Sequence, residues 1–261
     1  MLNVLVWLAA IEIVGIAAFP VAYYLFPKLH DRGYSLAKPL GVLIVAYVSW
    51  ILSTLHILPS TLLTILILLI VLGAASTWYS IRIFHDLIAL WRRERNSIIA
   101  SEIIFLTAFF CWIAYRAYDP AINHTEQPMD FAFLNATIRS TVGQPADPWL
   151  SGEYISYYYF GYWMMSIITK LTNISASVSY NLGLALIPAM AAMGLFGLVY
   201  SMIRAEVMQF PYRLTTFFLI EPAGMLFLIY NRLIEKTRMI RAAFIGGIAA
   251  AILVIATANL E

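Results

Sequence analysis

Residues 60–81, STLLTILILLIVLGAASTWYSI, hold neither a charged residue nor a proline. As a helix this run is long enough to cross a hydrocarbon core of roughly 30 Å. It shows no two-residue alternation, so a helix rather than a barrel strand is expected to satisfy its backbone. Similar runs recur on both sides of it. Eight hydrophobic segments are expected, at about 3–26, 40–58, 60–81, 98–117, 154–171, 178–203, 212–231 and 240–259. The expected fold is all-α: a polytopic membrane protein of about eight transmembrane helices in a cell membrane.

Composition agrees. The chain is 62% hydrophobic and 11% charged, with a mean hydropathy of +0.82. Soluble domains carry about 25% charged residues. The net charge of +2 and the lack of a dense basic run argue against nucleic acid as a partner. The lipid bilayer is the expected one. A single cysteine, Cys111, excludes an internal disulfide framework. Residues 1–11 lack Lys and Arg and no small-residue cleavage pattern follows, so the N-terminus reads as a first helix and not as a signal peptide.

Basic residues orient the helices. Lys28, Arg32 and Lys38 fall in the first loop, Arg82, Arg92, Arg93 and Arg95 in the third, Lys170 in the fifth, and Arg232, Lys236, Arg238 and Arg241 in the seventh. The even loops hold only Arg116, Arg139, Arg204 and Arg213. The odd loops are therefore expected in the cytoplasm, with the N-terminus and loop 118–153 outside. Residues 82–97 read as a basic amphipathic connector lying on the membrane. The chain ends directly after an apolar run, which reads as a fragment of a longer protein.

Candidate chemistry concentrates in 116–163, which carries five of the fourteen acidic residues. Pro128 suits the first turn of a helix running from Gln127 to about Ser140. Glu126 and Asp130, four apart, can then share a face. They can hold a divalent cation, Mg or Mn, through oxygen, or one can act as a general base. Equally, both can simply complement the helix dipole. Phe131, Phe133, Leu134 and Ile138 suggest that this helix lies on the membrane surface.

Farther on, Asp147-Pro148-Trp149 reads as a turn closed by Gly152. Tyr157, Tyr158 and Tyr159 lead into the fifth helix, where they are either ligand contacts or members of an interfacial aromatic belt. Three consecutive helical residues sweep about 200°, so they cannot all face one ligand. Arg116 can pair with a lipid phosphate or merely anchor its helix. His124 can act as acid, base or metal ligand, or be an ordinary loop histidine.

Glu12, Glu102 and Glu221 lie inside apolar segments. A charge at mid-bilayer costs at least about 2.5–3.5 kcal/mol, so each is expected to be protonated, paired or facing a polar cavity.

The runs Glu126-Gln-Pro-Met-Asp130-Phe-Ala-Phe-Leu-Asn135, Asp147-Pro-Trp149 with Gly152, and Tyr157-Tyr-Tyr-Phe-Gly161 resemble the prokaryotic YYY membrane protein family. So do Asp31-Arg-Gly33, Lys38-Pro-Leu-Gly41, Trp50, Glu102, Arg116 and Tyr180-Asn-Leu182. Gln127 stands where lysine is usual. That family is similar to the C-type (GT-C) glycosyltransferases, which take a sugar from a polyprenyl-phosphate carrier outside the cytoplasm. The resemblance implies that residues 1–97 are an N-terminal three-helix addition. Residues 98–261 would be the first part of a GT-C-like core. It makes Asp130 and Glu126 the catalytic or metal-holding acids. Arg116, His124, Asp147, Trp149, Tyr157, Tyr158 and Tyr159 would line the donor site. The expected activity is sugar transfer from a polyprenyl-phosphate donor. The rival readings are a proton-coupled transporter built on Glu12, Glu102 and Glu221, or a non-catalytic scaffold.

Overall fold

A computed structural model describes the backbone of residues 1–214 and 222–257 and the side chains of 1–205, 237–238 and 240–257. The whole segment expected at 212–231, Glu221 included, lies outside the described side chains. The described elements are helical: α1 (Leu2–Leu25), α2 (Ala37–Thr54), α3 (Leu62–Arg82), α4 (Phe84–Tyr118), α5 (Gln127–Arg139), α6 (Phe160–Thr172), α7 (Ala176–Leu214) and α8 (Pro222–Thr257). A 3-10 turn at Tyr34–Leu36 leads into α2.

Among the described residues six helices are long and apolar enough to cross a membrane: α1, α2 with its preceding turn, α3, α4, the Ala176–Ala205 part of α7, and the Ile240–Thr257 part of α8. The chain is therefore an all-α polytopic membrane protein. Trp7, Ile11, Val14, Phe105, Phe109, Leu186, Met193 and Phe196 join α1, α4 and α7 in a common core. α3 fully buries Thr64, Ile65 and Ser76 and packs Leu68, Leu69 and Leu72 against the core, while Leu62, Leu63, Leu66, Ile67 and Ile70 stay exposed. Lipid solvates such a face, and the helix needs no further cover. α1 and α2 approach closely at Gly41, where a Cβ would sit 2.7 Å from Val14 Cγ1.

The fifth expected span, 154–171, is corrected. Residues 154–159 stay outside the helix, and α6 has only 13 residues, about 20 Å against the roughly 30 Å needed. Both of its ends lie on one face of the bundle. Tyr159, before it, bonds to Gly143 at 2.7 Å. Lys170, in its last turn, bonds to the Ser60 carbonyl between α2 and α3 at 2.9 Å and to the Ser140 carbonyl after α5 at 3.0 Å. α7 also starts on this face, because Asn181 bonds to Arg116 at the end of α4 at 2.8 Å. Helices α5 and α6 thus form a layer across this face, and α7 runs in the direction that an even number of crossings before it requires.

The connector expected at 82–97 is likewise corrected. It is continuous with the next span in α4, whose 35 residues reach about 50 Å. No Gly or Pro interrupts it. Its buried Glu94 meets α7 through Arg204 at 2.8 Å, so protein and not lipid covers that turn. The boundary drawn at residue 97 falls inside this helix.

These two corrections regroup the charges. Among the described basic residues only Arg116, Arg139 and Lys170 remain on the face of the 119–159 segment (the loop face). The others sit toward the opposite, basic face.

Candidate functional site

α5 forms where expected. Pro128 occupies its first turn with Asp130, and Glu126 stands at the cap without making a side-chain capping bond. Asp130 does not spend its carboxylate on the helix end either. Its Oδ1 accepts the hydroxyl of Tyr162 from α6. Burial, then the Asp130 bond, push the Tyr162 phenol up, so it remains a donor. Thr137 Oγ1 donates to the Tyr162 carbonyl at 3.3 Å and binds the two helices a second time. Phe133 sits among Trp149, Tyr157 and Tyr162, with ring centroids at 5.3, 5.8 and 5.7 Å.

The tyrosine triplet precedes α6 instead of starting it, so the helical-sweep argument does not apply. Tyr157 and Tyr158 stack with centroids 3.9 Å apart, and the Tyr157 hydroxyl donates to that of Tyr158 at 2.8 Å. This bond, with the charges of Glu126 and Asp130 behind it, pushes the Tyr158 phenol up to about 12. Tyr159 is turned the other way. It donates to the Gly143 carbonyl and accepts the Trp50 indole N–H at 2.9 Å. Only glycine fits at 143, where a Cβ would lie 1.8 Å from Thr54 Oγ1. Tyr159 thus pins the loop to α2, while Tyr157 packs against Phe133 of α5 and Tyr158 against Tyr157.

Arg116 is buried at the loop-face end of α4. Its Nε donates to Asn181 Oδ1 at 2.8 Å and an Nη to the Ala121 carbonyl at 3.2 Å. It forms part of a cleft of about 310 Å³ whose walls are Ile113, Pro120, Val178 and Leu182. Tyr180 of α7, one residue before the cleft residue Asn181, packs its ring edge-on against Phe131 of α5 at 5.8 Å. A second hollow of about 320 Å³ is bounded by Tyr47, Trp50, Tyr157, Tyr158, Tyr159 and Phe160.

The remaining expected residues have local partners. His124 Nε2 lies 2.6 Å from Asp119 Oδ2, both exposed. That bond holds the Asp119 carboxyl below its usual range. Asp147 Oδ1 accepts the backbone N–H groups of Trp149 and Leu150 at 2.8 and 3.0 Å, so it shapes the turn. Gly152 closes it at φ +88°. Among the described residues no three His, Cys, Asp or Glu side chains gather as a metal cage. A cation at Glu126 and Asp130 would need ligand oxygens from a substrate, a habit of Mg.

Sequence reasoning did not foresee the role of Tyr162, Asn181 and Asp119 as partners of the expected residues. It also missed Lys38, on which Glu12 and Glu102 converge at 3.0 and 2.5 Å. The signal for Lys38 was present: a lysine within reach of an apolar segment whose neighbours carry glutamates.

A bundle of lipid-facing helices, capped on one face by a polar and aromatic layer, defines an integral membrane protein of the polytopic class. The family model described as "Uncharacterized membrane protein (DUF2298)" matches residues 44–261, and the chain belongs to that family. No curated protein and no solved structure matches it.

Proposed function

We propose that this chain carries the acidic half-site of a membrane glycosyltransferase that moves a sugar from a polyprenyl-phosphate donor to an acceptor outside the cytoplasm. The resemblance of its motifs to the YYY family, and through it to GT-C enzymes, suggests the reaction. The observation that carries the reading is that Asp130, steadied by Tyr162, and the Arg116 cleft lie on one face of the bundle, where Tyr180 of α7, next to the cleft residue Asn181, packs on Phe131, next to Asp130. An amphiphile fits that layout: its chain lies along Ile113, Val178 and Leu182, its phosphate near Arg116, its sugar toward Glu126 and Asp130.

In this reading Asp130 takes the proton of the acceptor hydroxyl. The acceptor oxygen then bonds the anomeric carbon, the bond from that carbon to the phosphate oxygen breaks, and polyprenyl phosphate leaves with its charge opposed by Arg116. In the alternative role, Glu126 and Asp130 would hold Mg or Mn, which would supply that neutralisation. Tyr157, Tyr158 and Trp149 border the sugar side, and His124 and Asp147 hold the loop through Asp119 and the 147–150 turn. The basic face is then cytoplasmic by the positive-inside rule, which leaves the N-terminus and the 119–159 segment outside.

The test is turnover of a polyprenyl-phosphate sugar by the full chain in liposomes, beside Asp130→Asn. A loss of about 10²-fold or more is expected for a general base. Equal turnover by both removes Asp130 from the reaction. A proton-coupled carrier is the second reading, supported by the convergence of Glu12 and Glu102 inside the bundle. It predicts a pH-gradient-driven flux that Asp130→Asn leaves intact.

A further inference from the structure

Three helices bring charged groups together on the basic-face half of the bundle, far from the acidic loop. Lys38 of α2 is 3% exposed. Its Nζ lies 3.0 Å from Glu12 Oε2 of α1 and 2.5 Å from Glu102 Oε1 of α4. Tyr34 donates its hydroxyl to the same Glu102 oxygen at 2.7 Å. Beneath the ammonium lies the Phe105 ring, with its centroid at 4.7 Å. The site is built around the lysine stem. A Cβ at Gly15 would stand 2.7 Å from Lys38 Cγ, so glycine there opens the passage by which Lys38 reaches Glu12.

The charges do not balance. Two carboxylates face one ammonium, and Tyr34 brings a hydrogen bond but no charge. Among the described residues, which include α3, α6 and the Ala176–Ala205 part of α7 packed against these elements, Lys38 is the one cation within ion-pair distance of Glu12 or Glu102. Glu12 and Glu102 keep side-chain exposures of 33% and 23%, but on helices whose surroundings are lipid, so the fully ionised triad would leave one net negative charge in an apolar medium, which is expensive. Like charges that share a site cannot both stay ionised cheaply.

We propose that Glu12, Lys38 and Glu102 form a proton-binding site that holds one exchangeable proton, shared between the two glutamates. With the proton bound, Lys38 has one carboxylate as counter-ion and one carboxylic acid as hydrogen-bond partner. The unfilled valence is that of a proton, because the lysine already occupies the place between the carboxylates that a metal cation would take. The site is independent of the sugar-transfer reading.

A hydrophobic carbodiimide tests it. The reagent adds a protonated carboxyl across its C=N bond, and the product rearranges to an N-acylurea. With an amine close by, it instead forms an amide and releases the urea. Full chain in liposomes is treated between pH 5 and 9 and mapped by mass spectrometry. Wild type is expected to label at Glu12 or Glu102, or to yield an amide of either with Lys38, and the yield should fall as pH rises. The sharper arm uses single variants. In Glu102→Gln, Glu12 has Lys38 to itself and ionises, so its labelling should drop at least tenfold at pH 7. Glu12→Gln should do the same to Glu102. Lys38→Met removes the counter-ion, and labelling should persist to higher pH. Two outcomes overturn the proposal: no reaction at either glutamate at pH 6, or unchanged labelling of one glutamate when the other is replaced. Protection of the wild type by Na⁺ at constant pH and ionic strength would overturn it as well, by assigning the site to a metal cation.

Discussion

Tyr162 of α6 donates its hydroxyl to the Asp130 carboxylate of α5, and this bond joins the two helices that cover the loop face. It aims an acid that helix-end electrostatics alone would leave free to rotate. Through Phe133 the same tyrosine is packed against Trp149 and Tyr157. The positioning of the carboxylate and the folding of the aromatic layer are therefore one event.

Tyr162→Phe keeps the ring and removes the hydroxyl. Under the sugar-transfer reading kcat should fall about tenfold, the equivalent of ~1.4 kcal/mol of lost positioning. KM for the donor should change less than about twofold, because Tyr162 positions Asp130 and does not bind the lipid. Steady-state kinetics on a polyprenyl-phosphate sugar would show it. A rise in KM with unchanged kcat would place Tyr162 in donor binding instead.

The path of the chain after α5 predicts which side Ser175 occupies. In a Cys111→Ser background, Ser151→Cys and Ser175→Cys should both react with an impermeant maleimide on intact cells. Lys28→Cys should react only after permeabilisation. Labelling of the first two from opposite sides would mean that α6 crosses the bilayer after all.

Lys170 predicts a pH dependence of stability. It donates to the Ser60 carbonyl, the Ser60 hydroxyl and the Ser140 carbonyl, all neutral. Ser140 ends α5, and Lys170 itself lies in the last turn of α6, so two helix C-termini favour its charge. Burial nonetheless lowers its pKa from 10.5 to about 8. Between those values the unfolded chain binds a proton that the folded chain has released, so stability rises with pH there. The Tm of the detergent-solubilised protein should climb relative to that of Lys170→Met from pH 8 to 10. A constant difference across that range would show that the ammonium is not buried.

On the basic face, Arg204 donates to both oxygens of buried Glu94 at 2.9 and 2.8 Å and to the Tyr200 hydroxyl at 2.8 Å. Glu94→Gln leaves Arg204 without its counter-charge and should cost about 3–5 kcal/mol of stability. Tyr200→Phe should cost about 1 kcal/mol, and the double variant Glu94→Gln/Arg204→Met should recover part of the larger loss. Denaturant unfolding in mixed micelles measures all three. Equal effects of the two single variants would reduce the ion pair to an ordinary hydrogen bond.

Hydropathy alone determined that the chain is a membrane protein made of helices, because an apolar run of about twenty residues has no other way to satisfy its backbone in lipid. Local chemistry also determined where α5 starts, since Pro128 and the acids around it mark a first turn whatever the rest of the chain does. Tertiary structure decided the rest. Residues 154–171 are mostly aromatic and aliphatic, and a sliding sum of hydropathy does not register that Tyr159 and Lys170 anchor both ends to one face. Nor does spacing along the chain reveal that Tyr162 answers Asp130, or that Lys38 stands between Glu12 and Glu102. Hydropathy is a property of each segment by itself. The partner of a buried charge is a property of the packing that brings distant segments together.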